Sequence, residues 1–137
     1  MSYATLDDFL TRFGEREAID LADRDGLGVV DGAVLGQALT DASSLVDGYV
    51  GGRYQVPLSN VPAMMINVVC DLARFALCRT EASEAVKVRY EKAIGLLRDI
   101  SASRLDLGPD NQGKAQLTEG NTILFSNGRG NVFGGKP

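Results

Sequence analysis

The feature that most constrains the fold of this chain is an apolar segment at its centre. Residues 63–79 follow Pro62, which suits the first turn of a helix, and apolar side chains occupy most sides of the predicted helix. Only Asn67, Asp71 and Arg74 interrupt it, and their spacing places all three on one face. A helix this apolar is typical of the centre of a bundle. Its polar residues argue against a membrane span.

Three helices are predicted before this segment. Thr5, followed by two carboxylates, begins a short helix that Gly14 ends, and residues 15–20 add another turn or two. A long helix begins near Asp31 and stops at the Gly51-Gly52 pair. Its apolar residues recur at helical spacing: Val34, Leu35, Ala38, Leu39, Ala42, Leu45, Val46, Tyr49 and Val50.

One more helix is predicted after the central one. It begins at Ser83 or Thr80, carries a single apolar stripe and ends near Ser103. These elements predict an all-α fold, a small helical bundle of four to five helices that forms a domain over residues 1–107. The N-terminus has neither the basic region nor the apolar region of a signal peptide, so we expect none to be present.

The composition changes after Leu107. Residues 108–137 carry seven of the sixteen glycines and one strand-like island, Thr122–Phe125. A lone strand does not stabilise itself, so this segment wraps its own domain, pairs with a neighbouring subunit, or stays unfolded until a partner binds. We predict an extended C-terminal arm over residues 108–137 that carries one short strand and binds partners. Its predicted anchors are Ile123, Leu124, Phe125, Val132 and Phe133.

The residue types argue against enzymatic chemistry. The chain has no histidine, which excludes Ser-His and Cys-His nucleophile pairs and zinc held by imidazole. Cys70 and Cys78, if they share one helix, are separated by a rise of roughly 12 Å and form no disulfide. Their thiols have no activating partner. We therefore expect a protein that is no enzyme and has no catalytic residue, cofactor or metal.

The acidic loop from Asp23 to Asp31 invites comparison with a calcium-binding hand. Asp23, Gly28 and Asp31 fit positions 1, 6 and 9 of that loop, but Leu27 and Val34 stand at the ligand positions 5 and 12. One interpretation is that the two aspartates are turn and helix-capping residues. The other is a weak structural calcium site.

The charge of the chain is unevenly distributed. Residues 1–51 hold three basic and ten acidic side chains, whereas residues 52–103 hold seven basic and five acidic ones. An acidic and a mildly basic end suit head-to-tail packing of identical copies, although a solvated acidic surface explains the same numbers. Neither part is basic enough for tight binding of nucleic acid.

Several sequence blocks resemble a known phage family. Tyr3–Phe9, Arg12–Gly14 and Leu21–Gly26 resemble the N-terminal half of head-region proteins of Mu-like bacteriophages and prophages. The resemblance covers roughly residues 3–100. A central block is also similar to the wider family of head–tail connector proteins of long-tailed phages: Ala38–Ser43, Val46–Tyr49, Gly52–Tyr54, Val56–Leu58, Val61-Pro62 and Val69–Arg74.

The resemblance implies a structural virion protein, a head–tail connector or adaptor of the kind that completes the head. Such a protein assembles as a homo-oligomeric ring between the portal protein and the tail, or a stopper or tail-terminator protein. Genome DNA passes through the ring lumen without sequence-specific binding, and no membrane is involved. The implied location is the head–tail interface of the virion, after synthesis in the host bacterial cytoplasm. The alternative is a small helical binding module that uses the calcium-hand-like loop at Asp23–Asp31.

Overall fold

The fold is a bundle of α-helices. The computed structural model describes residues 2–23, 25–78, 80–108 and 111. Within these residues the chain forms five helices and no strand, which confirms the predicted all-α bundle. The helices are α1 (Leu6–Phe13), α2 (Glu15–Ala22), α3 (Gly32–Val50), α4 (Ala63–Leu77) and α5 (Glu84–Ser101).

Local capping residues set the helix boundaries. The Thr5 hydroxyl accepts a hydrogen bond from the Asp8 amide at 3.1 Å, and the Asp8 carboxylate accepts one from the Thr5 amide at 2.9 Å, forming a capping box. Gly14, at φ 89°, separates α1 from α2 with a backbone angle that other residues rarely adopt. Asp31 and Ser83 cap α3 and α5 by accepting hydrogen bonds from backbone amides of the first turn. The predicted starts of these three helices are confirmed.

Helix α4 occupies the centre of the bundle and contacts the other four helices. The side chains it buries come from every side except one, as the sequence predicted. The helix ends at Leu77, so Cys70 lies within it and Cys78 is its C-terminal cap. The helix predicted over residues 63–79 therefore contains Cys70, whereas Cys78 lies just beyond its last residue. The buried residues of α4 are Met65, Val68, Val69, Cys70, Leu72, Ala73 and Leu77.

The polar face of α4 is paired with neighbouring helices. Asp71 lies 3.7 Å from the Arg12 guanidinium of α1 and 3.2 Å from that of Arg89 on α5. Arg74 donates to Glu17 of α2 at 3.0 Å, and Arg12 also donates to the Asn67 side chain. The three predicted polar positions thus join α4 to α1, α2 and α5, and they orient these helices around it.

Two aromatic or aliphatic residues expected in the core lie at its edge. Leu45 belongs to the predicted apolar stripe of α3 but is 42% exposed. Phe75 of α4 is half-buried and stacks on Tyr90 of α5, with ring centroids 4.0 Å apart. Both residues border an open space between α3 and α5, because those helices do not close over α4 along its whole length. Among the described residues, no helix is long and apolar enough to cross a membrane.

Candidate functional site

The acidic loop uses its carboxylates to fold its own backbone. Asp23 accepts hydrogen bonds from the amides of Leu27 at 2.9 Å and Gly28 at 2.7 Å. The Asp31 carboxylate accepts one from the Ala33 amide at 3.0 Å, at the start of α3. Through these contacts both aspartates act as turn and helix-capping residues, which is the first of the two interpretations. In the described part of the chain, no group of three acidic, histidine or cysteine residues could hold a metal.

The two cysteines are free thiols in apolar surroundings. Cys70 is fully buried, and this burial raises the pKa of its thiol to about 11. Burial also raises the pKa of Cys78, which is half-buried and donates to the Arg74 carbonyl at 3.4 Å. A thiol with a raised pKa is protonated at neutral pH and is a poor nucleophile.

A buried tyrosine joins three segments that are distant in the sequence. The Tyr3 hydroxyl donates to the Asp47 carboxylate of α3 and accepts from the Leu58 amide at 2.9 Å. The Tyr3 amide donates to the Ser43 hydroxyl at 2.9 Å. Burial, followed by the hydrogen bond to Asp47, raises the pKa of Tyr3 to about 12. This junction fixes the N-terminal segment and the connector after α3 to one end of the bundle.

The same connector holds the chain between the end of α5 and the predicted C-terminal arm. The Arg53 guanidinium donates to the carbonyls of Ile100 at 2.6 Å and Leu105 at 3.1 Å. It also pairs with the Asp106 carboxylate at 2.6 Å. Residues 104–108, which we call the arm root, are therefore tied to the chain between α3 and α4.

Two further hydrogen bonds extend this attachment. The Tyr54 hydroxyl, which is buried, accepts from the Leu107 amide at 3.0 Å. The Asn60 amide donates to the Asn111 side chain at 3.2 Å, and Asn111 is buried. The chain leaves the described bundle from a defined position at the end where α3 and α5 finish and α4 begins.

An apolar groove opens on the bundle between α3 and α5, with α4 as its floor. Its deeper part has a volume of about 310 Å³, and an adjoining part of about 450 Å³ extends toward the start of α3 and the end of α4. Asp41 is the charged side chain in its lining, and it accepts from Gln37 at 2.8 Å. We call this feature the α3–α4–α5 groove. Its deeper part is lined by Ala38, Asp41, Ala42, Leu45, Leu72, Phe75, Ala76 and Tyr90.

The sequence did not reveal this groove, because each of its walls reads as part of an ordinary core stripe. Leu45 on α3 and Phe75 on α4 have the spacing of buried residues, and only the distance between α3 and α5 leaves them accessible. The predicted arm anchors lie outside the described residues: Ile123, Leu124, Phe125, Val132 and Phe133.

The fold and these features define a class: a small all-α bundle with internally paired polar clusters and an accessible apolar groove. The sequence model of the family described as "Bacteriophage Mu, Gp36" matches residues 3–125, and the chain belongs to that family. The match supports the predicted resemblance to a Mu-like phage family and extends it past residue 100.

Two relatives come from a prophage and a phage. The "Mu-like prophage FluMu protein gp36" of Haemophilus influenzae is 32% identical, over 77% of this chain and 73% of the relative. "Gene product J" of Escherichia phage Mu is 31% identical, over 90% of this chain and 88% of the relative. The protein is therefore one of the proteins of Mu-like phages and prophages.

Proposed function

We propose that this protein is a structural virion protein, a head–tail connector or adaptor that forms an oligomeric ring between the portal and the tail. The observation that carries the proposal is where the structure places the residues that resemble the phage families and which segments they join. Tyr3, Asp47, Arg53 and Tyr54 all belong to those blocks: Tyr3 and Asp47 join the N-terminal segment to α3, and Arg53 and Tyr54 hold the chain that follows α5. Arg53 and Tyr54 thus fix where the chain leaves the bundle, as we expect of a protein whose arm binds neighbouring copies.

The charge distribution supports packing of identical copies. Helix α3 carries Asp41 and Asp47 and no basic residue, whereas residues 52–103 have a surplus of basic side chains. Unlike surfaces on one copy favour a head-to-tail contact, and such a contact closes into a ring when the rotation between copies allows it. The partners in this proposal are other copies, the portal protein and a tail, stopper or tail-terminator protein. DNA passes through the lumen without sequence-specific contacts.

The chemistry of the described residues supports a structural role rather than catalysis. The acidic residues of the loop at Asp23–Asp31 accept hydrogen bonds from backbone amides, and burial raises the pKa of both thiols. We propose that the protein is no enzyme and works without a cofactor. The alternative of a calcium-responsive module has no comparable support, because the loop's aspartates already serve the turn and the helix cap.

A reconstruction of the phage or prophage particle tests this proposal. We expect a ring of small helical bundles between the portal and the tail, with each bundle fitted by α1–α5. Mass measurement of the purified full chain, alone and with portal protein, gives an independent readout of ring formation. A particle in which the chain is absent, or lies in the capsid shell or along the tail, would contradict the proposal.

A truncation tests the role of the arm. Deleting residues 112–137 spares the buried Asn111 and every described contact of the bundle. We expect a melting temperature close to that of the full chain and a loss of incorporation into particles, because the arm serves contacts between copies. Normal incorporation would refute this role. A large drop in melting temperature would show that the arm packs on its own domain.

A further inference from the structure

We propose that the α3–α4–α5 groove of one copy receives the segment Ile123–Phe125 of a neighbouring copy. This inference rests on the proposed function only in that it requires copies packed side by side. It names the acceptor of the arm, and the acceptor consists of residues that the structure describes.

The described part of the bundle limits the kind of acceptor that a neighbouring copy offers. A strand-like segment binds either to a sheet edge, through main-chain hydrogen bonds, or to a groove, through its side chains. The described residues form helices and no strand, so this part of a neighbouring copy has no sheet edge to extend. The groove is an apolar surface of the described residues on which Ile123 and Phe125 can be buried.

The shape of the groove suits a short apolar segment. Stacked Phe75 and Tyr90 lie along one side, while Leu45, 42% exposed, lies on the other. A volume of about 310 Å³ lies at the lower end of the range for concave binding sites. In an extended segment, Ile123 and Phe125 share one side, which is the pattern needed to place two apolar side chains in one apolar cleft.

The family match includes the first of the two apolar clusters in the arm and not the second. The match to the family ends at residue 125, so it includes Ile123–Phe125 and stops before Val132 and Phe133. Of the two apolar clusters in the arm, the first therefore belongs to the family pattern. Charge favours the same placement, because Arg129 follows Phe125 closely and Asp41 is the charged residue of the groove.

The length of the arm and the position of the groove suit a contact between neighbouring copies. Asn111 is held at the connector end of the bundle, and Ile123 is twelve residues further along the chain, a distance of up to roughly 40 Å when extended. The groove extends toward the opposite end, where α3 begins and α4 ends. A donor at one end and an acceptor toward the other give each copy two unlike contact sites. Such sites link copies head to tail and allow a closed ring.

Two full-length variants test the inference, one altered in the groove and the other altered in the arm. Ala76→Arg puts a charged side chain into both parts of the groove at an exposed helical position, with Ala85→Arg on α5 as its control. Phe125→Asp removes an anchor from the arm, and Asn131→Asp, which puts the same charge at an arm residue outside the predicted anchors, is its control. We expect each of the two test variants to lose the oligomers of the parent protein, while both controls keep them.

Mixing the two test variants distinguishes a neighbour's groove from the chain's own. The mixture pairs an intact arm on the Ala76→Arg chain with an intact groove on the Phe125→Asp chain, so native mass spectrometry should detect heterodimers. A mixture that stays monomeric overturns the inference, as does a parent protein that is monomeric at every concentration measured, or a test variant that assembles like the parent. If Ala76→Arg lowers the melting temperature, Asp41→Arg takes its place and is combined with Arg129→Asp as the complementary partner.

The outcome is separable from the proposed function. Heterodimers from a chain that is absent from the head–tail junction would leave arm docking intact and refute the connector role. A chain located at that junction whose mixed variants stay monomeric would refute the docking and leave the connector role intact.

Discussion

Replacing Tyr3 with phenylalanine removes a single hydroxyl from the junction between the N-terminal segment, α3 and the connector. The Leu58 amide, in a residue that is 3% exposed, loses its acceptor, and the Asp47 carboxylate loses a donor. An unsatisfied buried amide costs about 1–3 kcal/mol, and the lost hydrogen bond to a charged group adds to it. Because Asp47 is only half-buried and regains water, we expect the free energy of unfolding to fall by about 2–3 kcal/mol.

The pH dependence of stability gives a second readout of the Tyr3 hydroxyl. The pKa of Tyr3 rises from 10.0 to about 12, so the folded state holds the phenolic proton more tightly than the unfolded state. The stabilisation is therefore complete below pH 10 and is lost as the pH rises through about 12. This pH dependence reports the burial of the phenol first and its hydrogen bond to Asp47 second.

Urea denaturation followed by circular dichroism measures both effects. The parent protein, Tyr3→Phe and Tyr49→Phe are compared at about pH 8 and about pH 11. The Tyr49 hydroxyl makes no hydrogen bond within the described residues, so its removal controls for the loss of a phenol. A Tyr3→Phe variant as stable as the control at the lower pH would refute the reasoning. So would a gap between parent and variant that does not narrow at the higher pH.

Three other predictions concern the core, the acidic loop and the thiols. Leu72→Ala at the centre of α4 should cost about 2–5 kcal/mol in a urea titration, against little change for the 39% exposed Val88→Ala. Asp31→Ala should cost about 1 kcal/mol through loss of the α3 cap, and added calcium should leave the melting temperature of the parent unchanged; a calcium-dependent rise would contradict the capping role. Cys70 should react with a thiol reagent more slowly than Cys78 in the native state, and both should react rapidly in denaturant. A native disulfide, detected as the loss of two hydrogen atoms by mass, would contradict the thiol assignment.

The helix boundaries were predictable because their signals are local. A capping residue and its partner lie within three positions of each other, as Thr5 and Asp8 do. Asp31 and Ser83 likewise act on nearby backbone amides through their own side chains. Gly14 ends α1 because it has no side chain and can adopt a positive φ. The central position of α4 was predictable for a related reason, since a helix apolar on most sides has few other stable surroundings.

The junctions and the groove were not predictable, because they depend on contacts between distant segments. Tyr3 and Leu58 are 55 positions apart, and nothing in the local pattern around either residue indicates the other. The groove depends on how far α3 and α5 separate over α4, a property of packing rather than of any single helix. The face of Asn67, Asp71 and Arg74 was predicted, but its partners on α1, α2 and α5 became known only from the fold.

Apolar side chains stay accessible on this bundle although its central polar stripe is paired. The bundle pairs its polar stripe internally, yet it leaves Leu27 at 72% and Val29 at 59% exposure on the loop before α3, as well as the open groove with Leu45. Accessible apolar patches on a folded domain mark sites of interaction. In the proposed ring such a contact would repeat from copy to copy, since a heterologous contact closes into a ring only when the rotation between copies allows it.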